Sequence, residues 1–171
     1  GKIVVVGFFI TFNSISANCI VRLNSDGTLD NTFVTGSGFN DFFRNIRTLA
    51  IQQDGKIIVG GRFTSYNGTS NLKNFIRLNT DGTIDPSFNI GTSFNSMVSS
   101  IAIDSGGGML VGGFFTSYNG TSCNRLIRLF DDGTVDSQFN TGTGFNSSTL
   151  LSIQELQDTK IMAVGGFTNY N

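Results

Sequence analysis

Carboxylates and amides at short, repeated spacing are the residues here whose types could do chemistry. Asn24, Asp26 and Asp30 fall in the run Asn24-Ser25-Asp26-Gly27-Thr28-Leu29-Asp30, and Asn79, Asp81 and Asp85 fall in the same run one repeat later. Oxygen ligands at alternate positions of a tight turn are how a calcium loop converges on its ion, so calcium is the one cofactor these residues suggest. The competing reading is a hairpin turn with a cross-strand ion pair. Arg22, Arg77 and Arg128 precede Asp30, Asp85 and Asp136 by a constant interval, and the third run carries Phe130 in place of the Asn, which favours the hairpin. Tyr66-Asn67-Gly68-Thr69 and Tyr118-Asn119-Gly120-Thr121 join an aromatic ring to amide and hydroxyl groups, the mixture that sugar-binding loops use. Tyr66, Asn67, Tyr118 and Asn119 are therefore glycan candidates, one pocket per repeat, with affinity gained by multivalency. Against this stands a turn in which Asn-Gly supplies positive φ while the Tyr packs inward, and that is the favoured reading. Both segments are also Asn-x-Thr sequons, as Asn146-Ser147-Ser148 is an Asn-x-Ser one, which matters only in a glycosylating secretory pathway.

Most other chemistry is excluded by composition. The 171 residues include no His and two Cys, which removes His-based triads, His-ligated zinc and a four-thiolate site within one chain. Cys19 and Cys123 lie at non-equivalent repeat positions, so neither a disulfide between them nor a reactive thiol is expected. Asp131 and Asp132, the densest carboxylates, sit in a turn and offer no acid–base pair. With 11 Lys and Arg against 12 Asp and Glu, there is no basic field for nucleic acid. No stretch of 18 apolar residues and no basic leader is present, so neither a membrane span nor a signal peptide is predicted. The opening Gly1-Lys2-Ile3-Val4-Val5 already reads like the inside of a strand, which predicts that the chain is a piece of something longer.

The elements that must hold these residues follow from repetition. Charged residues are only 13% and Gly is 22 of 171, which marks a turn-rich chain. The run Gly55-Lys56-Ile57-Ile58-Val59-Gly60-Gly61-Arg62-Phe63-Thr64-Ser65-Tyr66-Asn67 has four copies, ending at Asn13, Asn67, Asn119 and Asn171 with spacings of 54, 52 and 52. About ten of the 17 Phe sit at repeating positions, including Phe33, Phe88 and Phe139, and are expected to form apolar seams between repeats. One period reads as four strands, Ile46 to Gln52, Lys56 to Gly61, Asn74 to Asn79 and Thr83 to Phe88. Pairing Leu23 with Leu29 and Arg22 with Asp30 requires the three-residue loop Ser25-Asp26-Gly27, with Gly27, Gly82 and Gly133 left-handed at a bulge. By the same logic Gln53-Asp54-Gly55 pairs Ile51 with Ile57. Ser148 to Met162 has the spacing of an amphipathic helix, but its place in the repeat makes strand the expectation.

Four antiparallel strands at a pitch near 52 residues, with Gly and aromatic residues at fixed places, predict an all-β fold of propeller blades. The double Gly of Gly60-Gly61 and Gly112-Gly113 is kelch-like. The combined pattern resembles the delta-60 repeat, whose units read like Gly55-Lys56-Ile57-Ile58-Val59-Gly60-Gly61, Phe63-Thr64-Ser65-Tyr66-Asn67-Gly68 and Arg77-Leu78-Asn79-Thr80-Asp81-Gly82-Thr83-Ile84-Asp85, over all 171 residues. That resemblance implies a β-propeller module in large secreted, surface-attached or phage-encoded proteins with no common activity. The chain departs from the pattern at Val6, Val164, Phe130 and Ser105-Gly106-Gly107. One partial propeller, an arc with about three repeats, is expected over 1–171, with repeats at about 1–54, 55–106 and 107–158 and a partial one at 159–171. Strands near Ile46, Val98 and Leu150 should be innermost and line an axis. Three periods do not close a ring, so further blades of the same parent chain, or another copy, are expected to cover the ends. The expected function is a non-enzymatic module for binding, adhesion or scaffolding in an extracellular, cell-surface or virion-associated protein, its partners glycans or a cell-surface protein. A multivalent lectin is the alternative. An enzyme using the channel ranks below both, because Ile46 to Ile51, Ile101 to Ile103 and Leu151 to Ile153 offer few polar groups there.

Overall fold

Asp-Gly turns set the strand registers, and the computed structural model, which describes residues 1–39, 45–88, 91–146 and 150–170, carries the registers that pairing of like side chains demands. Leu23 bridges Leu29, Leu78 bridges Ile84 and Leu129 bridges Val135. Gly27, Gly82 and Gly133 have φ of 83°, 90° and 90°, the left-handed region where a Cβ would be strained. Ile51 pairs with Ile57 across Gln53-Asp54-Gly55. Ser105-Gly106-Gly107 makes the same loop without the Asp-Gly, since Ile103 still pairs with Met109 and Asp104 Oδ1 accepts from the backbone N–H of Gly106 and Gly108, at 2.9 Å each.

The first unit contains β1 (Ile3–Val6), β2 (Thr11–Phe12), β3 (Ile15–Ser16) and β4 (Ile20–Leu23). The second contains β5 (Asn45–Ile51), β6 (Ile57–Arg62), β7 (Ser65–Tyr66), β8 (Thr69–Ser70) and β9 (Phe75–Leu78). The third repeats it as β10 (Val98–Ile103), β11 (Met109–Gly113), β12 (Ser117–Tyr118), β13 (Thr121–Ser122) and β14 (Leu126–Leu129), and the chain continues into β15 (Leu150–Glu155) and β16 (Ile161–Gly165). β5-β6-β9 and β10-β11-β14 are three-stranded antiparallel sheets; β1 pairs with β4, and β15 with β16. The segment with helical spacing is thus two strands from Leu150 onward, Ser148 and Thr149 lying outside the described residues.

The expected fourth strand shrinks to a single bridge, and the reason is local. Asp30, Asp85 and Asp136 each turn their Oδ1 back to the backbone N–H two residues on, at Thr32, Ser87 and Gln138, with distances of 3.1, 2.9 and 2.9 Å. Phe33, Phe88 and Phe139 then donate backbone N–H to the carbonyls of those same Asp residues. An Asx turn closed by a β-turn bends the chain away one residue after pairing begins.

Strand alternation divides the core into three seams. Ile57 and Val59 of β6 point into a cluster with Ile20, Phe33, Phe39, Phe63 and Tyr66, whereas Ile58 points the other way, into a cluster with Phe94, Val98, Val111 and Tyr118. Met109 and Val111 of β11 share that second cluster, and Leu110 faces a third with Phe145, Leu150 and Ile153. Burial on both faces explains why the second strand of each blade is apolar without alternation. The repeated Phe are accordingly seam residues, with edge or tilted contacts such as Phe39–Phe63 at 4.8 Å and Phe94–Phe115 at 4.4 Å between ring centroids. β10 packs beside both β5 and β15, joined by Ile101 N–H to Thr48 Oγ1 at 3.1 Å and Ile153 N–H to Ser100 Oγ at 3.0 Å. The opening strands of successive units therefore adjoin one another, the relation that innermost propeller strands have.

Candidate functional site

Asn67-Gly68 and Asn119-Gly120 make the two-residue turns of β7–β8 and β12–β13, with both residues at positive φ (46° and 77°; 47° and 81°), as a type I′ turn requires. Their Tyr partners are interior. Tyr66 and Tyr118 are 0% and 1% exposed and donate their hydroxyls to the carbonyls of Gly82 and Gly133 at 2.8 and 2.7 Å. A buried ring has no face to offer a sugar, so the aromatic-platform reading of these four residues is corrected: the Tyr anchor each hairpin on the Asp-Gly turn of its own unit. Asn67 and Asn119 are exposed, but Oδ1 of each accepts a backbone N–H from the loop before it, at Ser37 (3.3 Å) and Thr92 (3.2 Å). The third sequon runs into residues 147–149, which lie outside the described residues, as does Asn171.

The Asn-x-Asp-Gly runs are occupied by hydrogen bonds. Asp26 and Asp81 Oδ1 accept the backbone N–H and hydroxyl of Thr28 and Thr83. Asn24 and Asn79 present their amide nitrogens, not oxygens, to Thr28 and Thr83 Oγ1 at 2.8 and 3.0 Å. Asp30 and Asp85 receive Arg22 and Arg77 Nε at 2.7 and 2.8 Å, and Lys2 and Lys56 Nζ at 3.2 and 3.0 Å. Among the described residues no group of three or more His, Cys, Asp or Glu is placed to hold a metal ion. What the runs build is turn geometry and the cross-strand ion pair.

That ion pair has a second half that spacing did not disclose. Beyond Asp85, Arg77 donates Nη1 to the Asp131 carbonyl of the next unit's turn at 2.7 Å, and its guanidinium lies 4.3 Å over the Phe88 ring. Arg22 does the same one unit earlier, reaching the Thr80 carbonyl while stacking 4.6 Å over Phe33. Phe33 and Phe88 in turn pack where a Cβ on Gly82 and Gly133 would be, and Val34 donates its N–H to the Asp81 carbonyl at 2.6 Å. The Arg22–Asp30 and Arg77–Asp85 pairs are thus the inner halves of latches between blades, whereas Arg128 turns to Asp104 and Asp136 of its own unit.

These contacts fix the titration behaviour. Hydroxyl and backbone donors on Thr28, Thr83 and Thr134 hold Asp26, Asp81 and Asp132 below the usual carboxylate range. Burial pushes Asp85 up, but Ser87, Lys56 and Arg77 outweigh it and hold it well below that range. Burial pushes the Cys123 thiol up to about 11 and raises the Tyr66 and Tyr118 phenols. Depressed Asp values contribute stability that is present above their ordinary pKa near ~3.9 and lost as pH falls through it; raised Cys and Tyr values contribute stability lost as pH rises past the ordinary thiol value. With no His to titrate between, unfolding free energy measured by urea titration is expected to be flat from about pH 5 to 8 and to fall on both sides. A steady slope across that plateau would contradict the assignment.

A cleft of about 440 Å³ opens between the second and third units, lined among others by Asn45, Arg62, Asn74, Asn95, Met97 and Phe114. Asn95 Oδ1 accepts from Thr116 and Ser117 N–H at 2.9 and 3.1 Å, and Asn74 donates to the Phe94 carbonyl at 3.2 Å, so amides frame the cleft while Met97 and Phe114 supply apolar surface. Sequence reasoning missed this place. The available signal was variation inside the repeat: the position after the double Gly is Phe8, Arg62, Phe114 and Gly166 in successive copies, where neighbouring positions barely change.

The family model described as a domain of unknown function (DUF5122) beta-propeller matches residues 1–33, 52–88 and 107–139, more than half of the chain. Neither a curated protein nor a solved structure matches the chain. The matched stretches end at Phe33, Phe88 and Phe139, the aromatic ends of the three hairpins, and each spans a second strand and the Asp-Gly hairpin that follows it. The chain belongs to the DUF5122 beta-propeller family.

Proposed function

We propose that the chain is a non-enzymatic propeller module of the delta-60 type, acting in binding, adhesion or scaffolding within a larger extracellular, cell-surface or virion-associated protein. The observation that carries this reading is that the repeated polar side chains, the Asp, Arg, Tyr and turn Asn residues, are engaged in holding hairpins and blades together. At the cleft between blades, amides, one guanidinium, the Thr64 and Ser96 hydroxyls and apolar side chains meet, and no carboxylate, Cys or His lines it to act as a general base. Neutral amides beside Phe114 support a carbohydrate ligand as the second reading, now located at the cleft instead of at the Tyr-Asn turns. A glycan array probed with the full chain tests it: signal reduced at least tenfold by Arg62→Ala or Phe114→Ala supports a lectin, and silence across a broad panel rejects it. Hydrolysis of any arrayed sugar by the chain would overturn the non-enzymatic reading.

A further inference from the structure

We infer that the cleft between the second and third units binds an acidic glycan, a sugar bearing a carboxylate or sulfate with its anion on Arg62 and its ring on Phe114. Arg125 takes the anion of a further sugar of the same glycan at the next junction. The inference rests on the carbohydrate reading of the cleft above and adds the class of sugar.

Charge selects the class. Arg62 ends β6, pairs with Asn45 across the sheet and is exposed. The polar groups around it in the cleft are the Asn45, Asn74 and Asn95 amides and the Thr64 and Ser96 hydroxyls, and no carboxylate is among them. The cleft is therefore formally positive in a chain whose net charge is -1. A guanidinium meets an oxyanion as a rigid fork of parallel N–H donors, so its partner is fixed in orientation as well as in sign. With one guanidinium and no Lys in its lining, the cleft lacks the row of cations by which a nucleic acid is held.

Polarity and size select a sugar over an acidic side chain. The volume of about 440 Å³ lies within the roughly 300–1,000 Å³ of small-molecule sites. Phe114 and Met97 are half-buried, and both present apolar surface on which the C–H face of a pyranose lies. Asn74 donates to the Phe94 carbonyl at 3.2 Å, and among the described residues no donor reaches its Oδ1, which is left to accept a ring hydroxyl. The carboxylate of a peptide side chain would use Arg62 and leave both the apolar wall and the amides unmatched.

Arg125 is an independent observation. It stands in the third unit where Asn74 stands in the second: both have φ of 69°, and their backbone N–H groups reach the Phe115 and Phe63 carbonyls at 3.0 Å each. Asn74 bonds the Phe94 carbonyl of the next unit, and Arg125 Nη1 bonds the equivalent Phe145 carbonyl at 3.3 Å. Unlike the amide, Arg125 carries a charge, and its Nε is, among the described residues, the one buried side-chain nitrogen or oxygen without a hydrogen-bond partner. A half-buried guanidinium held by one long bond to a carbonyl keeps its charge uncompensated, which an oxyanion at its open edge relieves. Phe114 occupies in the third blade the place that Arg62 has in the second, so cation, ring and cation follow one another over two junctions. A glycan that engages both junctions makes its second contact as an intramolecular step.

The 171-residue chain is probed on a glycan array and then titrated with an oligogalacturonate, its methyl ester, a sulfated galactan oligosaccharide and oligoglutamate. At least one acidic oligosaccharide should bind about tenfold or more tighter than the uncharged ester, and the carboxylate and sulfate arms identify the anion. Arg62→Gln should abolish that preference and Arg62→Lys keep part of it, with the β-sheet circular dichroism spectrum unchanged. Arg125→Asn, which installs the residue found at that place in the second unit, should weaken the acidic oligosaccharide about threefold or more without lowering the denaturation midpoint. Array signals from neutral sugars alone, equal affinity for acid and ester, or a preference that survives Arg62→Gln would each overturn the acidic assignment while leaving a lectin in place. Oligoglutamate binding as tightly as the acidic sugar would overturn the sugar, and unaltered affinity in Arg125→Asn would overturn the second contact. Silence across the array would overturn the carbohydrate reading together with this one.

Discussion

Replacing Gly61 or Gly113 by Ala is expected to lower stability by about 3 kcal/mol, while Gly7→Ala, at the equivalent position of the first unit, changes it little. Neither backbone conformation nor propensity produces the difference. A Cβ on Gly61 would lie closer than 3.0 Å to the Asn45 carbonyl oxygen and the Ile46 Cα, and one on Gly113 equally close to the Met97 carbonyl oxygen. The approach is made by a bulge in the opening strand, where register shifts between Ile46 and Thr48 and again between Val98 and Ser100. Because the obstructing atoms are main chain of the same blade, no rotamer change relieves the overlap, and the sheet must open. Gly7 meets only the Phe9 ring, at 3.7 Å, since among the described residues β4 is the one strand hydrogen-bonded to β1. For a chain of this length about 3 kcal/mol corresponds to a fall in melting temperature of about 6–12 °C. Calorimetry on the three variants checks it; equal midpoints for Gly7→Ala and Gly61→Ala would mean that the bulge does not press on the double Gly as described.

Much of this architecture is legible in residue types, and each exception has a physical cause. Hairpin registers follow from Asp-Gly and from the demand that Leu23 meet Leu29, because period-two side-chain alternation leaves one acceptable loop length. Seams follow from Phe at fixed repeat positions. The fourth strand misleads because Thr83 to Phe88 has strand-like alternation, and the Asx turn at Asp85 that ends it depends on which acceptor the Ser87 N–H finds. The latch is invisible for a related reason: Arg77 bonds a backbone carbonyl at Asp131, and a carbonyl is present at every position whatever the residue. The glycan candidates fail differently. Tyr-Asn-Gly-Thr is the same string whether the ring faces solvent or seam, and only the Gly82 and Gly133 carbonyls beneath the rings decide it. The cleft beside Arg62 and Phe114 could have been suspected from repeat positions that vary, since positions that build blades are held to one residue type by packing.

Tyr118→Ala is expected to cost about 3–5 kcal/mol, and Tyr118→Phe about 1–2 kcal/mol. The ring is fully enclosed, tilted 41° against Phe94 at 4.5 Å, so truncation leaves a cavity in the middle of the second seam. Removing only the hydroxyl keeps the packing but leaves the Gly133 carbonyl, 2.7 Å from it, without that donor in the interior. Tyr170 is the control: it makes the same tilted contact with Phe145 at 4.7 Å but is 47% exposed, so Tyr170→Ala should cost below about 1 kcal/mol. The series also tests the seam-anchor role of these tyrosines against the ligand-platform role that their burial argues against. If the ring is a seam residue, Tyr118→Phe lowers the denaturation midpoint and leaves affinity for any ligand of the Arg62–Phe114 cleft unchanged, because the lost hydroxyl points into the blade. Were affinity to fall while the midpoint stayed in place, the hydroxyl would have to contact ligand instead of Gly133, and the buried-anchor account of Tyr66 and Tyr118 would fail with it.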